Sequence, residues 1–428
     1  MIASTTMSKS EQFIALEDQF GAHNYHPLPV VLERGEGVFI FDVDGKKYYD
    51  FLSAYSAVNQ GHCHPHIIGA LIEQSKKLTL TSRAFHNNRL GKFEQFATSF
   101  FGYDKLLPMN TGAEAVETAI KIARKWGYEA KGIEENSAQI VVCENNFHGR
   151  TTTIISFSND PVARKNFGPF TGGFLKIPYD NADALEDVLK SNPNIAAFLV
   201  EPIQGEAGVY VPSDDYLLKC KALCEKYNVL LMADEIQTGI GRTGRLLASC
   251  GNCSCAEKNC SQTPAVKADV LILGKALSGG AYPVSAVLAN DHIMSVIGPG
   301  NHGSTFGGNP VAAAVAIAAL EVVRDERLAE NAERLGQLFR KKMKEYIATS
   351  QIVKLVRGKG LLNAIVINED KSSNTAWEIC LGLRDRGLLA KPTHGNIIRF
   401  APPLVMTEAQ LLDCVRIITA TLTDFEPV

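Results

Sequence analysis

Four short apolar runs constrain this chain more than any other feature: AQIVVCE (138–144), IAAFLVE (195–201), NVLLMAD (228–234) and DVLILG (269–274). A strand with one face in water alternates polar and apolar residues. These runs are apolar almost throughout and rich in β-branched residues, so they read as strands buried on both faces. Stretches of helical composition, such as DYLLKCKALCEKY (215–227), separate several of them. Buried strands alternating with helices imply an α/β layered fold with a largely parallel sheet. In such sheets, binding and chemistry collect just past the carboxyl ends of the strands. Glu201, Asp234 and Lys275 all stand at such ends.

With 428 residues, 46% of them hydrophobic, the chain can bury more than one simple core. After about residue 310 its character changes. A long segment of helical composition (312–346) precedes the strand-like fragments LLNAIVI and NIIRFAP and a last helix from about Thr407. This part reads as a smaller α+β unit. The formal charge is −3 with signs mixed throughout, which offers neither a nucleic-acid tract nor a basic membrane face. No apolar run approaches the ~20 residues of a membrane helix. The N-terminal MIASTTMSKSEQF has no apolar secretion core and no arginine, so a cytoplasmic address is expected.

Lys275 taken alone reads as a surface lysine. The flanking Gly274 and ALSGG leave room for a ligand at the amine, and such a lysine can form a Schiff base with a carbonyl. Asp234, in LMADEIQTG, is a carboxylate at the end of a buried strand and needs a partner. That partner is an arginine, a helix N-terminus or a protonated pyridine nitrogen, which an acid keeps cationic as an electron sink. Gln237 can donate a hydrogen bond to a phenolic oxygen on the same ring. Thr111, Gly112 and Ala113 precede a clear helix, as an ordinary N-cap does and as a backbone phosphate site does. Ser304 and Thr305, in the glycine-rich GSTFGGNP, offer a second phosphate contact. In ENNFHGRTTT, Phe147 offers an aromatic face and Arg150 a bidentate fork for a carboxylate. His148, between them, carries no reading of its own.

In this order, these segments resemble the pyridoxal-phosphate-dependent aminotransferases of fold type I, subgroup III, from about Gly21 to about residue 425. The blocks GAHNYHPLPVVLERG, FLSAYSAVNQGHCHP, LTLTSRAF, EPIQGEAGV, HGSTFGGNP and GLLAKPTHGNIIRFAPPL resemble the ornithine aminotransferase family within that group. The resemblance implies pyridoxal 5'-phosphate as cofactor, bound as a Schiff base on Lys275. Lys275 would then shuttle the proton. Asp234 would face the pyridine nitrogen, Gln237 the phenolic oxygen and Phe147 the ring. Gly112 and Ala113 would bind the phosphate, and Thr305 would reach the phosphate of a neighbouring subunit, making a homodimer the active unit. L-ornithine would give its δ-amine to 2-oxoglutarate, leaving glutamate-5-semialdehyde, which cyclises to a pyrroline carboxylate. Tyr25 would hydrogen-bond the distal amino group of ornithine and Arg150 its carboxylate, with Tyr55 lining the pocket. Glu206 would mask Arg399 by a salt bridge and release it for the keto acid. The implied organisation has an N-terminal segment 1–60 contributing to the small domain, a large cofactor domain 61–326 and a C-terminal small domain 327–428.

The family usually runs rapidly from GRTGR to the aspartate before the lysine strand. Here a cysteine-rich insertion intervenes at about 249–264. Cys250, Cys253, Cys255 and Cys260, spaced C-x2-C-x-C-x4-C, could bind zinc, form labile disulfides or remain reduced thiols in a loop. The spacing matches no standard two-knuckle zinc pattern. Rival readings are acetylornithine or 4-aminobutyrate aminotransferase, a decarboxylase or aminomutase on the same scaffold, and, in another class, a non-catalytic scaffold working through the cysteine loop.

Overall fold

A computed structural model describes residues 7–250 and 266–427. Cys253, Cys255 and Cys260, and the side chain of Cys250, lie outside the described residues, and so does the proposed metal cluster.

Among the described residues, the strands form three sheets. The first contains β1 (Leu32–Glu36), β2 (Phe39–Asp42) and β3 (Lys47–Asp50). The central sheet contains β4 (Lys105–Met109), β5 (Gln139–Cys143), β6 (Phe174–Ile177), β7 (Ile195–Val200), β8 (Leu230–Asp234), β9 (Val270–Leu273) and β10 (Ser285–Ala289). The third contains β11 (Val353–Lys359), β12 (Leu362–Ile367), β14 (Lys391–Thr393) and β15 (Ile397–Phe400). The short β13 (Leu388–Leu389) joins the first sheet, pairing parallel with β3, so the C-terminal part of the chain is stitched to its N-terminal part.

The central sheet runs β4-β10-β9-β8-β7-β5-β6. Its strands from β9 to β6 are parallel neighbours, and β10 is antiparallel to both β9 and β4. Every residue of β7, β8 and β9 is buried, as the unbroken apolar runs require. One face of the sheet packs against the helix Gly112–Glu129 through Val116, Ile120 and Ala123. The other packs against the helices Ala182–Ser191 and Tyr216–Lys226 through Leu185, Leu189, Cys220 and Cys224. Each fully buried aliphatic side chain contributes about 1.5–3 kcal/mol, so covering both faces is what stabilises strands of this composition.

The helical segment after residue 310 is two helices, Pro310–Asp325 and Leu328–Ile347. Arg327, between them, takes φ +54, a left-handed conformation that ends the first helix. The second helix lies so close to the turn between β11 and β12 that a Cβ at Gly336 would sit 1.8 Å from the carbonyl oxygen of Gly360. Gly336→Ala is therefore expected to cost about 3 kcal/mol. Thermal unfolding checks this: a melting temperature equal to the wild type's would mean the turn yields freely.

Candidate active site

The carboxyl ends of β5, β7, β8 and β9 converge on one cavity of about 210 Å³. Lys275, Asp234, Gln237, Phe147, Gly112, Ala113 and Glu206 all line it, so seven residues singled out from separate sequence segments meet there. Lys275 follows β9 through Gly274, and its backbone takes φ +40, strained for a residue with a side chain. Burial lowers the pKa of its amine, and the Arg399 charge adds to this, against Glu206, Asp234 and Glu201. The neutral amine that a Schiff base requires is thereby more accessible.

Asp234 ends β8. One carboxylate oxygen accepts from the Ile236 N–H at 3.1 Å; the other lies 2.6 Å from Nδ1 of His148. His148 is fully buried. Burial opposes its charge, but the hydrogen bond and charge of Asp234 outweigh it, so its pKa lies above the ordinary histidine value. Glu201, just past β7, accepts from the Phe147 N–H at 2.8 Å, and burial raises its pKa to about 7. The sequence alone points to no role for His148 or Glu201. Glu201 had a signal, a carboxylate closing a fully apolar strand; His148 had none beyond its place beside Phe147.

The helix from Gly112 opens with a capping box: Thr111 Oγ1 accepts from the Glu114 N–H, and the Glu114 carboxylate accepts from the Thr111 N–H. Its first turn borders the cavity through Gly112 and Ala113, where the helix dipole favours an anion. Ser304 is anchored nearby, accepting from Asn110 Nδ2 at 2.7 Å. Thr305 is exposed and does not line the cavity of its own chain.

Glu206 lies in the loop after β7, and Arg399 lies on β15 of the third sheet. Arg399 Nη1 donates to a Glu206 carboxylate oxygen at 2.9 Å and to the Gly205 carbonyl at 3.2 Å. Glu206 is held below its usual range: burial would raise it, and the Arg399 charge and hydrogen bond overcome that. Tyr55 belongs to a run, Ser53 to Ser56, with φ between +46 and +74. The run is held in part by the Asp50 carboxylate, which accepts from the N–H groups of Leu52 and Ser53. It sets the Tyr55 ring 5.1 Å from the Arg399 guanidinium carbon.

Arg150 and Tyr25 stand outside the cavity. The Arg150 side chain is 60% exposed, 3.8 Å from Asp160 and 5.6 Å from the Phe147 ring centre. Tyr25 is 70% exposed but close enough to act electrostatically on Tyr55.

The residues present fit pyridoxal phosphate. Among the described residues, Gln237 Oε1 and His148 Nε2 are buried side-chain atoms with no hydrogen-bond partner, and both residues line the cavity. A half-buried lysine, a carboxylate at a strand end, an aromatic ring and a helix N-terminus match, respectively, an aldehyde, a pyridinium, a flat ring and a phosphate.

The chain is 58% identical over 415 residues to the ornithine aminotransferase, mitochondrial, of Drosophila melanogaster, covering 97% of this chain and 92% of that protein. It is 53% identical over 420 residues to the ornithine aminotransferase of Plasmodium falciparum, covering 98% of each. Among solved structures, the ornithine aminotransferase from Toxoplasma gondii superposes with a TM-score of 0.92 at 47% identity, over 98% of this chain and 96% of that one. Another structure of the Toxoplasma gondii enzyme is described with partial occupancy of pyridoxal phosphate at its active site. A structure described as acetylornithine aminotransferase from Elizabethkingia anophelis matches with a TM-score of 0.88 at 60% identity, over 98% of this chain and 100% of that one. The model of the class-III aminotransferases matches residues 20–422. With that match spanning nearly its whole length, and relatives 53% and 58% identical over 98% and 97% of it, the chain belongs to the class-III aminotransferase family.

Proposed function

We propose that this enzyme transfers the δ-amino group of L-ornithine to 2-oxoglutarate, giving glutamate-5-semialdehyde and glutamate. The observation that carries this reading is the Glu206–Arg399 pair at the cavity wall. One site must bind an amine end with no carboxylate and then a keto end that carries one. An arginine permanently open beside the reacting carbon would favour the α-amine of ornithine. Glu206 neutralises Arg399 in the first half-reaction; when Glu206 turns away, Arg399 takes the α-carboxylate of the keto acid through its two-pronged guanidinium. The gate works because each substrate binds one of the two arrangements better.

When bound, pyridoxal phosphate supplies the electrophilic carbonyl and the ring that accepts electron density from the substrate carbon. Lys275 would hold it through its amine and would move the proton at the substrate carbon. Asp234 would pair with the ring nitrogen, and His148 keeps Asp234 oriented through the Nδ1 contact. Gln237 would pair with the phenolic oxygen, and Phe147 would pack on the ring. Thr111, Gly112, Ala113 and Ser304 present donors to the phosphate. Arg150 binds the ornithine carboxylate and Tyr25 its distal amine, with Tyr55 packed beside Arg399. Exposed Thr305 reaches the phosphate of a second copy, so the active unit is a homodimer.

A small domain built from residues 1–60 and 327–428, against a large domain 61–326, belongs to the same reading. The β3–β13 pairing and the confinement of the central sheet to residues 105–289 support it. A cytoplasmic setting is also part of the proposal. The Drosophila relative is named mitochondrial, and subcellular fractionation separates the two. Among the described residues, no helix is long and apolar enough to cross a membrane.

The rival reading rests on the Elizabethkingia structure, described as an acetylornithine aminotransferase. A half-reaction without keto acid separates the two. Mixing the cofactor-loaded enzyme with L-ornithine should shift the visible cofactor band to the near ultraviolet, while N-acetyl-L-ornithine and 4-aminobutyrate leave it. Conversion by N-acetylornithine and not by ornithine would sink the proposal.

A further inference from the structure

The segment Gln204–Tyr210, which carries Glu206, is a closed loop: the N–H of each end residue donates to the carbonyl of the other, at 3.1 and 3.0 Å. Inside it, Gly208 takes φ +121 and Val209 φ +59. Val209 is β-branched and fully buried, and a left-handed conformation there is an outlier that its surroundings must impose.

The surroundings come from the third sheet. Three carbonyls of the loop each accept from a side chain of that sheet: Gly205 from Arg399 Nη1 at 3.2 Å, Glu206 from Thr393 Oγ1 at 3.0 Å, and Gly208 from Arg357 Nε at 2.8 Å. Arg357 also lies over the loop's last residue, its guanidinium carbon 3.8 Å from the Tyr210 ring centre. It forms no ion pair among the described residues, so its charge acts on a carbonyl dipole and a ring of this one loop.

We propose that Arg357 is a positioning residue for substrate specificity: it clamps the strained loop so that the Glu206 carboxylate stays on Arg399. The inference rests on the Glu206–Arg399 gate proposed above. The clamp stabilises the masked arrangement and adds nothing once Glu206 has turned away, so it biases the site toward an amine end without a carboxylate. Releasing it lets Val209 relax to an ordinary conformation and carries Glu206, three residues earlier, off Arg399. Arg399 is then open in both half-reactions.

The test compares the two half-reactions in Arg357→Leu, Arg357→Lys and Glu206→Gln, each loaded with cofactor. Losing a charged donor should lower kcat/KM for L-ornithine in R357L by about tenfold, while KM for 2-oxoglutarate stays level or falls. A larger share of ornithine should react at its α-amine. E206Q should show the same split, and R357K, which keeps a cation over the Tyr210 ring, should recover most of the loss. Equal losses in both half-reactions would make Arg357 merely structural and overturn the inference. A normal R357L beside a shifted E206Q would overturn it and leave the gate standing. An unshifted E206Q would overturn the gate itself and the clamp with it. If R357L does not fold, Thr393→Val, which removes only the hydroxyl on the Glu206 carbonyl, is read against the same outcomes.

Discussion

Lys275→Ala is expected to lower the ornithine half-reaction by at least about 10⁴-fold, the upper range of what a positioned proton-transfer group supplies. On the proposed roles, the substitution removes both the amine that would hold the cofactor and the base that would move the proton. No substitute is at hand. Glu201 and Asp234 lie near enough to act on the Lys275 charge, but Glu201 accepts from the Phe147 N–H and Asp234 is engaged by His148 and Ile236. Stopped-flow absorbance reads the rate, and the loss of the visible band that depends on the lysine reads the linkage. A variant within tenfold of the wild type would remove Lys275 from its role.

Asp234→Asn has the second largest expected effect, on rate and on stability. On the proposed reading, in which this carboxylate pairs with the ring nitrogen, replacing it by an amide removes a preorganised charge, worth about 10²–10³-fold in rate. It also deprives buried His148 of its counter-charge, and breaking a buried pair costs about 3–5 kcal/mol. The sign of the pH dependence follows from the raised pKa of His148. A group raised on folding stabilises fully below its unfolded pKa, about 6.5 for histidine, and loses that contribution as pH rises through the folded value. The stability gap between wild type and D234N should therefore be widest on the acid side and narrow toward alkaline pH. Thermal unfolding of both proteins across that range measures it. A gap that stays constant or widens with pH would show that the pair is not ionised as described.

Residues that act through local pattern are readable in the chain. The runs ending at Glu201, Asp234 and Lys275 identify buried strands because a strand covered on both faces has no polar alternation to hide. The same burial makes a charged residue at the strand end conspicuous. Thr111, with Glu114 three residues on, announces a helix start because a cap is satisfied within one turn. The blocks carrying the family resemblance reach Glu206 and Arg399 only through that resemblance. Short strands such as β4, β6 and β10 escape notice, because KLLPM, FLKI and SAVLA are too brief to show a period.

Other features exist only once the chain is folded. Nothing in FLSAYSAVN marks Ser53 to Ser56 as left-handed, since none of them is glycine; Asp50 and the packing around them impose it. His148 and Asp234 are 86 positions apart, and Arg399 and Glu206 are 193 apart. A histidine beside a phenylalanine has the same local sequence whether it faces solvent or a buried carboxylate. The clamp of Arg357 and Thr393 on two carbonyls leaves no trace at all, because a backbone carbonyl is the same in every residue. The sequence alone therefore determined the layered fold and which charged residues close its buried strands, both of which follow from local hydrophobic pattern. The tertiary structure decided which charge meets which partner and how a strained loop is held, because those energies depend on distance in space and on exclusion of water.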